Sequence, residues 1–357
     1  MHRVFAGSIA LLLTLSLPAQ AQRSPGRPAP RIVDSATAAS ASSLLEALAH
    51  DSLEGRDTGT RGAAAAARII AAALQRAGVQ PAGDSGFFQR VPLARQNIAL
   101  RDGSIRRVLR LQPNFAARDT FPAADRVDAV NVVGMIPGSD PALREEAVVI
   151  TAHYDHVGIG RAVNGDSIYN GADDDASGTV AVLEIARILA QGPAPRRTMI
   201  FLLVTGEEHG LLGTRWYIEH PVVPLARTVA NLNIEMIARP DSLAGGAGRG
   251  WLTGFDRSTM GQLLREAGVS LVSDPRPEHH FFERSDNIAF ARRGIPAHTI
   301  SSYNMHNDYH QPSDETRFAD PAHMARVINA SARAARVLAD GPAPAWAPGD
   351  PFGQIPR

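Results

Sequence analysis

Residues 197–205 read RTMIFLLVT, and GEEHG follows at once at 206–210. Six apolar side chains in a row, 199–204, without alternation fit a strand covered on both faces, as at the centre of a parallel sheet. Gly206 ends the run, and two glutamates, Glu207 and Glu208, stand at its carboxyl end. The pattern repeats outward. AVVIT (147–151) runs into His153, TVANLNI (228–234) runs into Glu235, and AHTIS (297–301) is another short apolar strand. Helical spacing marks 37–49, 63–77, 176–189, 211–220, 260–267 and 321–338 between and around them, and 87–93 and 130–135 read as earlier strands. The stretch between those two strands is polar and poorly periodic, too short for a domain, and reads as a strand-rich excursion. Strands alternating with helices predict one α/β domain, with a mixed, mostly parallel central sheet and helices on both faces.

Composition narrows the chemistry. The 357 residues carry 36 basic and 36 acidic side chains, with no Cys, and every basic one of the first group is Arg. A neutral chain without a basic stripe is no nucleic-acid binder. Thiol nucleophiles, thiolate metal sites, Schiff-base lysines and the phosphate-loop lysine are excluded, and no G-x-S-x-G elbow appears. His, carboxylates and metal remain. At the N-terminus, His2 and Arg3 precede an apolar run from Val4 to Leu17 and the small-x-small site Ala19-Gln20-Ala21. This reads as a signal peptide over 1–21, cleaved after Ala21, and predicts a periplasmic or secreted protein with no membrane attachment after cleavage. A disordered Pro/Arg-rich lead-in is expected over 22–36, the catalytic domain over 37–340, and a Pro-rich tail over 341–357.

Five candidate ligands end strands or open helices: His153 in AHYDH, Asp174 in GADDDASG, Glu208 in TGEEHG, Glu235 in NIEMI and His310 in DYHQPSDE. An N/O set with one shared carboxylate suits two divalent ions. Glu207, beside a ligand, is the carboxylate that metal-assisted hydrolysis needs. Asp155 is placed to accept the second ring N–H of His153. Read singly, each has a plainer alternative. His153 and Asp155 could be a surface His beside a turn, Asp173–Asp175 and Glu207–Glu208 could be acidic helix starts, and His310 is one of 12 histidines. His279, His280, His298 and His306 compete with it on composition, and His156 reads as a neighbour rather than a ligand.

Taken together, LEGRDTGTRG, AHYDH, GADDDASG, TGEEHGLLGT, NIEMI, RSDNIAFARRGIPA and YHQPSDE resemble the co-catalytic di-zinc aminopeptidase family, whose relatives include glutamate carboxypeptidase and glutaminyl cyclase. They span Leu53 to Glu315. The resemblance implies the zinc-dependent exopeptidase fold, phosphorylase/hydrolase-like, and two Zn²⁺ per chain. Asp174 would bridge the ions, with His153 and Glu235 on one and Glu208 and His310 on the other. Glu207 would be general base and then acid, Asp155 would orient His153, and Tyr309 would steady the oxyanion. It also implies a cis bond between Asp174 and Asp175, and release of N-terminal residues from peptide substrates. Carboxypeptidase or dipeptidase specificity with an Arg clamp from Arg239 or Arg284, a glutaminyl cyclase-like acyltransferase, and a metal-free binding domain are the competing readings. Two positions depart from the family pattern: Glu235, where many members carry Asp, and Asn287, where many carry His. The protease-associated insert of some members has no room between Leu93 and Val130.

Overall fold

The computed structural model describes residues 35–356 together with His2. The segment read as signal peptide and the lead-in up to residue 34 lie outside the described residues, His2 excepted. In chain order the elements are α1 (Ala38–Leu48), α2 (Arg61–Arg76), β1 (Gln80–Pro81), β2 (Phe88–Ala99), β3 (Ile105–Leu111), α3 (Phe115–Arg118), β4 (Arg126–Ile136) and β5 (Ala147–His153). They continue with β6 (Gly158–Val163), β7 (Asp166–Tyr169), α4 (Gly178–Gln191), β8 (Thr198–Val204), α5 (Leu212–Glu219) and β9 (Thr228–Ile234). The chain closes with β10 (Gly250–Leu252), α6 (Met260–Glu266), β11 (Leu271–Ser273), α7 (Asn287–Ala291), β12 (Ala297–Ser301) and α8 (Pro321–Asp340).

One sheet organises them, in the order β11-β10-β12-β9-β5-β8-β4-β2-β3, with β1 paired to β4. β12, β9, β5 and β8 run parallel at its centre. β4, β2 and β3 add antiparallel strands on one flank. The strand at 198–204 is buried at every position, as its unbroken apolar run predicts. Its residues part by the two-residue period of a strand. Met199, Phe201 and Leu203 enter a core shared with α1, α2, α4 and α8, whereas Ile200, Leu202 and Val204 pack with Tyr217, Ile288 and Phe290 of α5 and α7.

Strand order reverses at β5. The chain leaves β5 through α4 to β8 on one side, then passes through α5 to β9 on the other. In such sheets a crevice opens beyond the carboxyl ends of the strands where the order reverses. His153 ends β5, Glu207 and Glu208 follow β8, and Glu235 follows β9.

The strand-rich excursion holds the edge strand β3, and 158–169, to which the sequence pattern assigns no element, is a β6–β7 hairpin. The lead-in ends in an ordered contact, because Ala36 is buried and exchanges backbone hydrogen bonds with the Asn329 amide at 2.9 Å. The tail is anchored on the surface: Trp346 donates to Gly294 O at 3.0 Å and Asp350 pairs with Arg257 at 2.8 Å.

A buried guanidinium ties the N-terminal elements to the crevice. Arg56, 1% exposed, donates to the carbonyls of Leu48, Tyr154, Asn170 and Gly171 at 2.6–2.9 Å. Burial pulls its pKa down to about 10, against the attraction of Asp314, Asp155, Asp174 and Asp175. Replacing it with an apolar side chain leaves four carbonyls unpaired, and a buried group left so costs a large part of a domain's net stability. Arg56→Leu is expected to lose on the order of 3 kcal/mol of unfolding free energy. An unchanged urea midpoint would show that the clamp is dispensable.

Candidate metal centre

The site begins with Asp173, Asp174 and Asp175, which are all buried and point three ways. Asp173 Oδ1 accepts from Ala238 N at 2.7 Å and its Oδ2 faces His306 Nε2 at 2.9 Å. Asp175 Oδ1 accepts from Met236 N at 3.0 Å and from Gly178 N at 2.9 Å, fixing the start of α4 to the end of β9. Asp174 alone turns its carboxylate into the crevice, and its bond to Asp175 is cis. Beneath it, Asp314 receives the backbone N–H groups of Asp173 and Asp174 at 3.0–3.1 Å.

Around Asp174 two groups form. His153, Asp174 and Glu235 bring candidate ligand atoms within 4.8 Å of one another, and so do His156, Asp174, Glu208 and His310. Asp174 belongs to both, with Oδ1 3.3 Å from His153 Nε2 and Oδ2 3.0 Å from His310 Nε2. His310 Nε2 also lies 3.2 Å from Glu208 Oε1. Both imidazole nitrogens are buried and neither makes a hydrogen bond to these oxygens, so the atoms converge without satisfying one another. Converging N and O atoms of this kind suit a divalent cation.

Some expectations change. His156, read as a bystander, lies inside the second group with Nδ1 2.9 Å from Glu208 Oε1. Its ring fits because residue 171 is glycine: a Cβ there would come within 2.5 Å of His156 Cδ2, at a backbone φ of +55. The local signal was the doubled His of AHYDH. His153 Nδ1 meets the backbone carbonyl of Asp155 at 3.0 Å, whereas the Asp155 carboxylate stands 3.8 Å away. That carboxylate instead accepts from Glu207 N at 3.2 Å and Thr58 Oγ1 at 3.1 Å. Of the competing histidines, His306 is held by Asp173 and His298 by Ser258 and Thr253, and neither joins a ligand group. Tyr309 stacks on His310 with ring centroids 4.0 Å apart, and burial keeps its hydroxyl protonated. Arg239 is engaged by Asp308 and Asp314, while Arg284 lines a cavity beside Glu235.

Charge dominates the electrostatics. Burial raises Glu207 well above the carboxylate range, with Asp286, Glu235 and Glu208 adding repulsion that His153 only partly offsets. Burial carries Glu235 to about 7, and Asp286 and Asp314 to about 6. Glu208 is opposed by burial and by Asp174, yet the imidazoles of His156 and His310 facing it hold it near 2. Burial disfavours the His310 cation, but Asp174 and Glu208 outweigh it and lift His310 to about 10.

An α/β sheet with carboxylates and imidazoles gathered at its carboxyl edge defines a metal-dependent hydrolase. The chain belongs to Peptidase family M28, a zinc-dependent peptidase family whose model matches residues 131–335. Among curated relatives, a vacuolar membrane protease of Verticillium alfalfae is 29% identical over 205 residues, 54% of this chain and 18% of that protein. A probable leucine aminopeptidase 2 of Aspergillus oryzae is 32% identical over 172 residues, 47% of this chain and 32% of that one. The chain thus spans less than a third of either relative's length. Among solved structures, a zinc aminopeptidase from Bacillus subtilis superposes with a TM-score of 0.60 at 16% identity, covering 86% of this chain and 96% of that one. A glutaminyl cyclase from Porphyromonas gingivalis gives 0.56 at 17% identity, covering 85% and 99%. Both likenesses show the shared fold.

The expectation of a periplasmic or secreted protein is corrected by these relatives, several of which are named vacuolar membrane proteases. The apolar run behind it belongs to residues outside the described ones. No helix among the described residues is long and apolar enough to cross a membrane.

The raised groups set a pH dependence for the metal-free protein. Glu235, Asp286 and Asp314 keep protons in the folded chain that they lose when unfolded, over the interval from the ordinary carboxylate range to about 6 or 7. His310 does the same from its ordinary value to about 10. Folded protein therefore binds more protons than unfolded across this span, and stability falls as pH rises. The depressed Glu208 acts in the opposite sense only in acid. Melting of chelator-treated protein should drop steadily between about pH 5 and pH 9, and zinc should flatten the curve by replacing those protons. A metal-free melting temperature that climbs over the same range would refute this account.

Proposed function

We propose that this protein is an aminopeptidase holding two zinc ions, and that it releases N-terminal residues from peptides. The observation that carries the reading is the position of Asp174, whose two oxygens face two separate ligand groups. His153 and Glu235 would hold one ion, Glu208 and His310 the other, with Asp174 shared. His156 supports the second group, either as a further nitrogen donor or by fixing Glu208 through its 2.9 Å contact. Bound zinc would polarise the scissile carbonyl and acidify the attacking water.

Glu207 does the proton work. Its backbone N–H is pinned by Asp155, which fixes the residue just past the end of β8. Its raised proton affinity suits a group that takes a proton from water and returns it to the leaving amine. Tyr309, protonated and stacked on His310, supplies an O–H donor for the developing oxyanion. Glu235, within the first ligand group, offers negative charge for the substrate's α-ammonium, and this favours cleavage at a free N-terminus. The named aminopeptidases among the relatives and structures support the same reading.

The tests separate chemistry from metal binding. Glu207→Gln should lower kcat by roughly 10²–10⁴-fold while zinc content stays at the wild-type level. Undiminished turnover would remove Glu207 from the mechanism. Native protein should hold two zinc ions, and His153→Ala and His310→Ala should each lose one by elemental analysis. A native stoichiometry of one would rule out the two-ion centre. His156→Ala should retain both ions but release one faster to a chelator, and wild-type release would deny His156 any part in the second group.

A further inference from the structure

A narrow cavity opens beside Glu235, walled by Met236, Trp251, Phe281, Arg284, Tyr303 and Tyr309. Its aromatic walls alone would suit an apolar side chain, but its polar groups do not. Trp251 is 2% exposed and its indole N–H is buried with no acceptor. Arg284 lies with its guanidinium carbon 5.1 Å from the centroid of the Phe281 ring, and among the described residues no carboxylate pairs with it. Its neighbours differ: Arg239 pairs with Asp308, Arg276 with Asp241 and Arg257 with Asp350.

The Ser and Thr hydroxyls of the wall are already committed. Ser301 Oγ donates to Met236 O and accepts from Tyr303 N, both at 3.1 Å. Thr253 Oγ1 accepts from Thr299 N at 2.9 Å, and Thr299 Oγ1 donates to Asn287 Oδ1 at 3.0 Å. What is left facing the cavity are groups able to donate: the Trp251 indole N–H, the Arg284 guanidinium and the hydroxyls of Tyr303 and Tyr309. The single acid of the wall, Glu235, belongs to the group with His153 and Asp174.

We infer that this cavity is a specificity subsite for a substrate residue bearing a carboxylate, an N-terminal Asp or Glu, recognised by Arg284 and the Trp251 indole. The inference rests on the aminopeptidase reading. A carboxylate accepts from a guanidinium in paired fashion and has lone pairs left for an indole N–H. An apolar side chain in the same place leaves the buried indole donor unpaired, the situation in which polar subsites discriminate most strongly.

Zinc-loaded protein should hydrolyse Glu- and Asp-4-nitroanilides with kcat/KM at least about tenfold above the Leu compound. Arg284→Met should bring that ratio close to one, Arg284→Lys should keep part of it, and Arg284→Glu should move the preference to Lys. Trp251→Phe, which keeps the ring and removes the N–H, should lower the ratio without lowering the melting temperature. If the native protein prefers Leu and Arg284→Met leaves the ratio unchanged, the subsite is refuted while the aminopeptidase reading stands. If N-acetylated peptides with a free C-terminus are cleaved in an Arg284-dependent manner and free-amine substrates are not, the carboxylate read is the terminal one and the side-chain assignment is refuted. Calorimetry decides the subsite independently of turnover: L-glutamate should bind zinc-loaded protein about tenfold more tightly than L-leucine, and Arg284→Met should erase the difference. Equal affinities overturn the subsite whatever is found for hydrolysis.

Discussion

Negative charge packed at the carboxyl edge of the sheet is the constraint on which the rest of the structure depends. Asp155, Asp173, Asp174, Asp175, Asp286 and Asp314 are buried there, with Glu207, Glu208 and Glu235 partly so. Arg56 is the fully buried cation nearest to them, and it spends its donors on carbonyls rather than carboxylates. Charges taken out of water without partners are costly, and a bare group answers by holding a proton. Divalent cations resolve the same conflict while leaving the carboxylates ionised, and so metal binding and stability are linked in this fold.

The scaffold distributes that charge with little freedom. Asp173 and Asp175 are consumed by backbone N–H groups after β9 and at the start of α4, and Asp314 holds the loop from below. Asp174 is the one left to face the crevice. A polar ladder beneath Glu235 completes the support: Thr151 donates to Asn233 at 2.7 Å, and Asn233 donates to Ser285 and Thr299 at 2.8 and 3.2 Å. Asn287 occupies a position where the family often carries His, and it bonds Phe282 O and Thr299 rather than joining the ligand groups.

The centre of the sheet was legible because β8 is an unbroken apolar run flanked by mostly apolar strands, and their carboxyl ends located the candidate ligands. What escaped had no local signal. β6 is exposed along nearly all its length, so no apolar alternation marks the hairpin, and β10 and β11 are three residues each. β3 is an edge strand rich in Arg, so the strand-rich excursion gave no bounds for it. Arg56 and Asp314 lay inside recognised motifs, but their work is hydrogen bonding across long stretches of sequence, which periodicity does not register. His156 reads in sequence as a neighbour of His153, and only the fold shows its ring turned toward Glu208. Arg239 and Arg284 read alike in sequence, and the fold separates them: Arg239 pairs with Asp308 and Asp314, whereas among the described residues no carboxylate pairs with Arg284.

The Arg56 clamp also bears on modularity. The family match begins at residue 131, yet the guanidinium that pins Tyr154, Asn170 and Gly171 is supplied from well before it, by the short helix at Asp51–Arg56. The matched segment therefore depends on a side chain outside it. A graft or minimal fragment cut at its boundary would carry the ligand side chains and leave behind the part that holds their loop in shape.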